Sequence, residues 1–161
     1  MFVCNNRNKR SVVLDLKTAA GCEVFTHLLR WAEVFVHNMR PAAIERLGFG
    51  FDKVAAINPQ IIYCAAVGFG SGGRYAGRPA FDDVIQAAGG IAALPSYRGQ
   101  DPAYVPGVMA DKVAALTATY GVMAAIAARG RGMAGAIEVE AAMFESVAAF
   151  VLNEHLAAAA F

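Results

Sequence analysis

The sequence is poor in the features that mark several protein classes. Its 161 residues hold three cysteines, Cys4, Cys22 and Cys64, an odd number at wide spacings, with no CxxC and three scattered histidines. That pattern gives no ground to expect a disulfide framework or a metal site. Charge is scarce and nearly balanced, 14 Lys and Arg against 13 Asp and Glu, with no continuous basic stripe of the kind a nucleic-acid backbone requires. Secretion is not expected. Arg7, Lys9 and Arg10 stand where a signal peptide needs its hydrophobic run, which favours a cytoplasmic protein. The longest uncharged stretch in the helical part, 113–128, has 16 residues where a span needs about 20, so no membrane partner is expected.

What the sequence does have is apolar content, 57% by residue, and a mean hydropathy of +0.43. Low-hydrophobicity disorder is thereby excluded, although much of the excess is alanine, 34 residues, which favours helix and adds little core volume. The small net charge hides an asymmetry. Residues 1–80 hold ten basic and five acidic side chains, and residues 81–161 hold four and eight. A basic half without basic runs suits a small polyanionic ligand, and an unevenly solvated surface would read the same way.

Periodicity divides the chain into alternating strands and helices. Ser11–Leu16 reads as a strand, and Thr18 as the N-cap of a helix to about Trp31 with Val24, Leu28 and Trp31 on one face. Val34–His37 reads as a strand, Arg40-Pro41 opens a short helix through Arg46, and Phe51–Ile57 is another helix, stopped by Asn58-Pro59. Ile61–Val67 is a strand, 68–79 a loop, Phe81–Ala88 a helix and 89–109 irregular. Asp111–Ala128 is the strongest helix, followed by a turn at 129–135, a strand at Ala136–Glu140 and an amphipathic helix over Met143–Leu156, left uncapped by AAAAF. The expectation is an α/β, Rossmann-like doubly wound parallel sheet with ligand sites at the carboxyl ends of its strands. The chain is also expected to begin without an element before Ser11 and to stop in mid-element.

Several residues invite functional readings. Gly68–Gly73 fits GxGxxG after a strand, but Gly77 and Pro79 break the helix a dinucleotide site needs, so a mobile glycine loop is preferred. Asp111 at the start of the strongest helix is either a cap, the usual role there, or a low-pKa carboxylate aimed into a cleft to attack an activated acyl group. Asp82 and Asp83, adjacent and therefore diverging on a helix, read as caps. His27 and His37 read as structural, and Arg129-Gly130-Arg131-Gly132 reads as an ordinary helix ending.

Five segments together, NRNKRSVVLDLKT (6–18), VFVHNMRPAAIERLG (34–48), INPQIIYCAAVGFGSGGRYAGRPAFDDVIQAAGG (57–90), VMADKVAALTATYGVMAAI (108–126) and EVEAAMFESVAAFVLNEHLA (138–157), resemble the class III CoA-transferases. This family includes carnitine, bile-acid and formyl-CoA transferases and the α-methylacyl-CoA racemases. The resemblance implies a CoA-transferase moving CoA from an acyl-CoA donor to a carboxylic acid, with Asp111 as the covalent carboxylate. CoA contacts are implied at Leu14, Asp15, Leu16 and Lys17, at Asn38, Met39, Arg40 and Arg46, and at Arg78 and Phe81. Pro79 stands where some members have a lysine, and the 129–135 turn differs from the family's usual TGxGQ-like sequence. The resemblance further implies no permanently bound cofactor and a homodimer in the full-length form. It marks residues 1–161 as a truncated CoA-binding catalytic domain, without the family's opening segment and C-terminal small domain. Racemase activity and an inactive CoA-binding fragment are the alternatives. Against the first stands Phe81, which occupies the position of the racemases' proton-carrying histidine.

Overall fold

A computed structural model describes residues 2–155. After a short helix α1 (Phe2–Asn5), the chain forms α2 (Ala19–Trp31), β1 (Val34–His37), α3 (Pro41–Arg46), α4 (Phe51–Ile57) and β2 (Ile62–Val67). It continues through α5 (Asp82–Ala88), a 3₁₀ helix (Ile91–Arg98), α6 (Met109–Gly130), β3 (Ile137–Ala142) and α7 (Met143–His155). The alternation produces what crossover connections demand, three parallel strands in the order β1-β2-β3, with Val34 opposite Ile62 and Ile62 opposite Ile137.

Successive residues of β2 serve opposite faces, as a strand's period of two requires. Tyr63 and Ala65 join a core with Leu29, Ile44, Phe49 and Val54 from the α2, α3 and α4 side. Cys64 is fully buried beside its register partner Val139, whose methyl would lie 2.8 Å from a Cβ at Gly121 of α6. Helices therefore cover both faces, the doubly wound arrangement. A second apolar cluster, Ile85, Ile91, Ala110, Val147 and Val151, ties α5, α6 and α7 together.

Four expectations are corrected. Ser11–Leu16 is not a strand: β-branched residues form one only against a paired edge, and here Val13 is 95% exposed while Leu16 turns into the first core. The N-cap that follows is as expected, since the Thr18 hydroxyl accepts from Gly21 N–H at 3.1 Å and donates to Asp15 C=O at 2.8 Å. The buried face of α2 is Gly21, Cys22, Phe25 and Leu29, whereas Val24, Leu28 and Trp31 face outward, Trp31 at 86% exposure. Both stripes have helical spacing, so periodicity alone could not choose between them. An element does precede Ser11, namely α1. Finally, α6 begins at Met109, two residues before Asp111.

At 22 residues α6 is long and apolar enough to cross a membrane by length and composition, which the 16-residue uncharged run did not register. In this fold it packs against β3, α7, β2 and α5 and leaves Leu116, Tyr120 and Met123 exposed. The uncapped end expected beyond α7 lies outside the described residues.

Candidate functional site

The carboxyl ends of all three strands open on one cavity of about 570 Å³. Asn38, Met39 and Arg40 follow β1, Val67 and Gly68 end β2, and Met143 follows β3. Arg78 and Phe81 enter from the loop between β2 and α5, and Asp82 and Asp111 from the starts of α5 and α6. Six residues expected to meet CoA or its acyl group, Asn38, Met39, Arg40, Arg78, Phe81 and Asp111, are thus brought together. Leu14 to Lys17 and Arg46 are not in the lining. Leu14–Lys17 leads into α2, with Lys17 N–H bonded to the Asp15 carboxylate at 3.0 Å, and Arg46 ends α3, whose first residue, Pro41, touches the cavity.

Asp111 does not sit as a cap. It occupies the third position of α6, and its own backbone N–H donates to Asp82 Oδ1 at 2.9 Å, so Asp82 caps a helix other than its own. The expected low pKa is corrected as well. Burial within the cleft, and then the nearby Asp82 charge, hold the Asp111 carboxyl above its ordinary range. Asp82 is fixed in turn by Gln86, whose Nε2 donates to Asp82 Oδ2 at 2.6 Å and to Gly107 C=O at 3.1 Å, while its Oε1 accepts from Val105 N–H at 2.8 Å. A buried amide used on both its oxygen and its nitrogen ties the segment before α6 to α5. Sequence reasoning missed Gln86, for which the only signal was its i+4 spacing from Asp82 on one helix.

His37, read as structural, has that role at the end of β1. Its Nδ1 accepts from Met39 N–H at 3.2 Å and its Nε2 meets Tyr63 Oη at 2.8 Å, while the Tyr63 hydroxyl donates to Phe49 C=O at 3.2 Å. Burial lowers the His37 pKa, favouring the neutral ring this chain of bonds uses, and pushes Tyr63 up to about 12. The cavity's Asn38–Arg40 wall thereby rests on the aromatic core. His27 is exposed on α2. The Gly68–Gly73 segment leads into a loop of turns and not into a helix, so the dinucleotide geometry is not formed. Arg129 lies in the last turn of α6 and bonds Gly135 C=O at 3.1 Å, a helix ending as expected.

A parallel α/β sheet with a polar cleft at its strand ends and a carboxylate at the start of a long helix defines a ligand-binding α/β protein. Residues 1–160 match the family described as CoA-transferase family III, and the chain belongs to it. The acetyl-CoA:oxalate CoA-transferase of Acetobacter aceti is 35% identical over 147 residues, which are 91% of this chain and 38% of that protein. The succinyl-CoA–L-malate CoA-transferase beta subunit of Chloroflexus aurantiacus is 36% identical over 91% of this chain and 36% of its own length. Among solved structures, a CAIB/BAIF family protein from Brucella suis superposes with a TM-score of 0.89 at 30% identity, over 96% of this chain and 41% of that one. The chain therefore spans about 36–41% of the length of these relatives.

Proposed function

We propose that this chain is the CoA-binding, catalytic portion of a CoA-transferase that moves CoA from an acyl-CoA to a carboxylic acid through a covalent intermediate on Asp111. The observation that carries this reading is the convergence of Asp111, Asn38, Arg40, Arg78 and Phe81 on one cavity. Arg40 and Arg78 offer guanidinium groups to the phosphates of CoA, and Phe81 and Met39 offer apolar surface to its less polar parts. The Asp111 carboxylate attacks the thioester carbonyl of the donor, breaking the C–S bond to give a mixed anhydride and CoA thiolate. The thiolate attacks the aspartyl carbonyl, releasing the donor acid and leaving an aspartyl-CoA thioester. The acceptor carboxylate attacks that thioester, and the freed thiolate then takes the acceptor acyl group, regenerating Asp111. A carboxyl held above its ordinary pKa is a more basic nucleophile once ionised, and burial in the cleft supplies most of that effect.

Racemisation is the lesser reading because two-base exchange needs a titratable group on each side of the α-carbon, and Phe81 cannot carry a proton. No histidine is among the cavity's lining residues, and His37 Nε2 is engaged with Tyr63. A second reading is CoA binding without turnover. Cytoplasmic location and a homodimer of the full-length protein belong to the same proposal.

Calorimetric titration with CoA, together with trapping of Asp111 by hydroxylamine or borohydride during incubation with an acyl-CoA, tests the scheme. Modification confined to the peptide carrying Asp111 is expected, with Asp111→Asn retaining CoA binding and losing exchange by at least about 10³-fold. Full exchange without modification there would sink it. Binding without exchange would establish the binding-only reading. Rapid loss of α-deuterium from a 2-methylacyl-CoA without acyl exchange would establish the racemase instead.

A further inference from the structure

The loop between β2 and α5 is tied to the β3–α7 junction at four consecutive residues. Gly68 C=O accepts from Phe144 N–H at 2.9 Å, and the Phe69 ring packs on Phe144 with centroids 5.6 Å apart. Gly70 N–H donates to both carboxylate oxygens of Glu145, at 3.1 and 3.0 Å, and Ser71 N–H donates to Glu140 Oε1 at 3.0 Å. The stitching differs from the mobile loop expected of so many glycines. From there a ring series leads to the cavity: Phe69 meets Tyr75 at 5.5 Å, and the Arg78 guanidinium lies 5.3 Å from the Tyr75 centroid. Arg78 lines the cavity.

We infer that Glu145 is a positioning residue, a latch that fixes the 68–80 loop and through Phe69 and Tyr75 sets the Arg78 guanidinium at the cavity wall. The importance of Arg78 for ligand rests on the CoA-binding reading, whereas the latch itself does not. A carboxylate bonded to a backbone N–H is stronger than a neutral acceptor, and here both oxygens close on one donor. The fit is tight as well, because a Cβ added at Gly70 would lie 2.8 Å from Glu145 Oε1. A methyl at Gly70 therefore requires the Glu145 carboxylate to move out of its place on the loop.

The loop supplies its own reporter. Arg74 is exposed and followed by Tyr75, a tryptic site, whereas Arg78 is protected from trypsin by Pro79. Cleavage at a folded site follows the population of its opened form. Glu145→Ala is expected to speed cutting after Arg74 by roughly tenfold, with Glu145→Gln, which keeps one acceptor oxygen, falling between it and wild type. Gly70→Ala should reproduce the effect from the other side of the latch, and combined with Glu145→Ala it should add little more. It also decides the matter if Glu145→Ala does not fold. CoA affinity should fall in the same order as loop opening rises. Equal cutting after Arg74 in wild type and in the folded variants would overturn the latch, as would a rise matched by cutting after Arg30 and Arg46. Wild-type protein that binds no CoA, yet shows the cleavage order, would overturn the binding reading and leave the latch established.

Discussion

The two sides of the sheet are held together by different means. On the α2–α4 side, aromatic rings do the filling: Phe25 meets Phe49 edge-on at 4.7 Å, and Tyr63 meets Phe35 at 5.4 Å and Phe51 at 5.7 Å. On the α5–α7 side, helices approach on alanine and glycine, with Ala110 and Ala114 buried and Gly89 so close to Val147 that a Cβ would meet its methyl at 2.5 Å. The α5–α7 side is also the acidic one, with four Lys and Arg against eight Asp and Glu in residues 81–161. The lesson is a division of labour across one cavity. Rigid rings support the wall that offers Arg40, and close-packed small residues let α5 and α6 bring Asp82 and Asp111 near each other despite their like charge.

The first way to break that contrast is to exchange the kind of damage done to each side. Phe49→Ala, at a ring only 4% exposed, should cost about 3–5 kcal/mol by leaving a cavity among the aromatics. Gly89→Ala adds a single methyl and should still cost about 1–3 kcal/mol, because Val147 and the Ile85 carbonyl at 3.0 Å leave it no room. Denaturant unfolding measures both. If Gly89→Ala were neutral, the account of the second side as packed by close approach would fail.

A sharper comparison concerns two arginines on one short helix segment. Arg40 lines the cavity and Arg46 lies about 9 Å further along the axis at the far end of α3. Arg40→Ala should weaken CoA binding by roughly tenfold and reduce its salt sensitivity, while Arg46→Ala should change it by less than about threefold. Equal losses would mean that the basic half attracts CoA as a field and not through placed groups.

The same residues show how far sequence reasoning reached. Element types and the strand-end cavity were legible because they follow from short-range signals: β-branched runs, the Thr18 cap, Pro41 at a helix start and Asn58-Pro59 at a helix end. Ser11–Leu16 misled because strand propensity says nothing about whether an edge is available to pair. Val24, Leu28 and Trp31 misled because α2 carries two apolar stripes and only the fold selects one. Asp82 capping α6 across 29 positions and Glu145 holding Gly70 across 75 were invisible, since each depends on where two separate crossovers end. Asp111 stands in the first turn of α6 close to where it was read, but its electrostatics are the reverse of that reading, because desolvation in the cleft comes first and Asp82, which holds the cap, adds its charge.

That reversal yields the smallest effect and the most direct test of the acidic side. The Asp111 carboxyl is held above its ordinary pKa in the folded protein by desolvation first and Asp82 second, so folding favours its protonated form. In the interval between the unfolded and folded values the native state binds more protons than the unfolded one, and stability therefore declines as pH rises through it. Above the folded value the ionised group is a fixed cost. Asp111→Asn removes that charge yet keeps the backbone N–H that Asp82 accepts, so the variant should be more stable than wild type at pH 7. The gain should stay below about 1 kcal/mol, because the side chain is only partly withdrawn from screening solvent at the cavity. The difference should narrow as pH falls through the folded value and close below the ordinary carboxylate range, where the carboxyl is protonated in both states. Thermal melts of both proteins across that range decide it: an Asn variant less stable than wild type at pH 7 would mean that Asp111 supports the fold, and that its place beside Asp82 is not held at a cost.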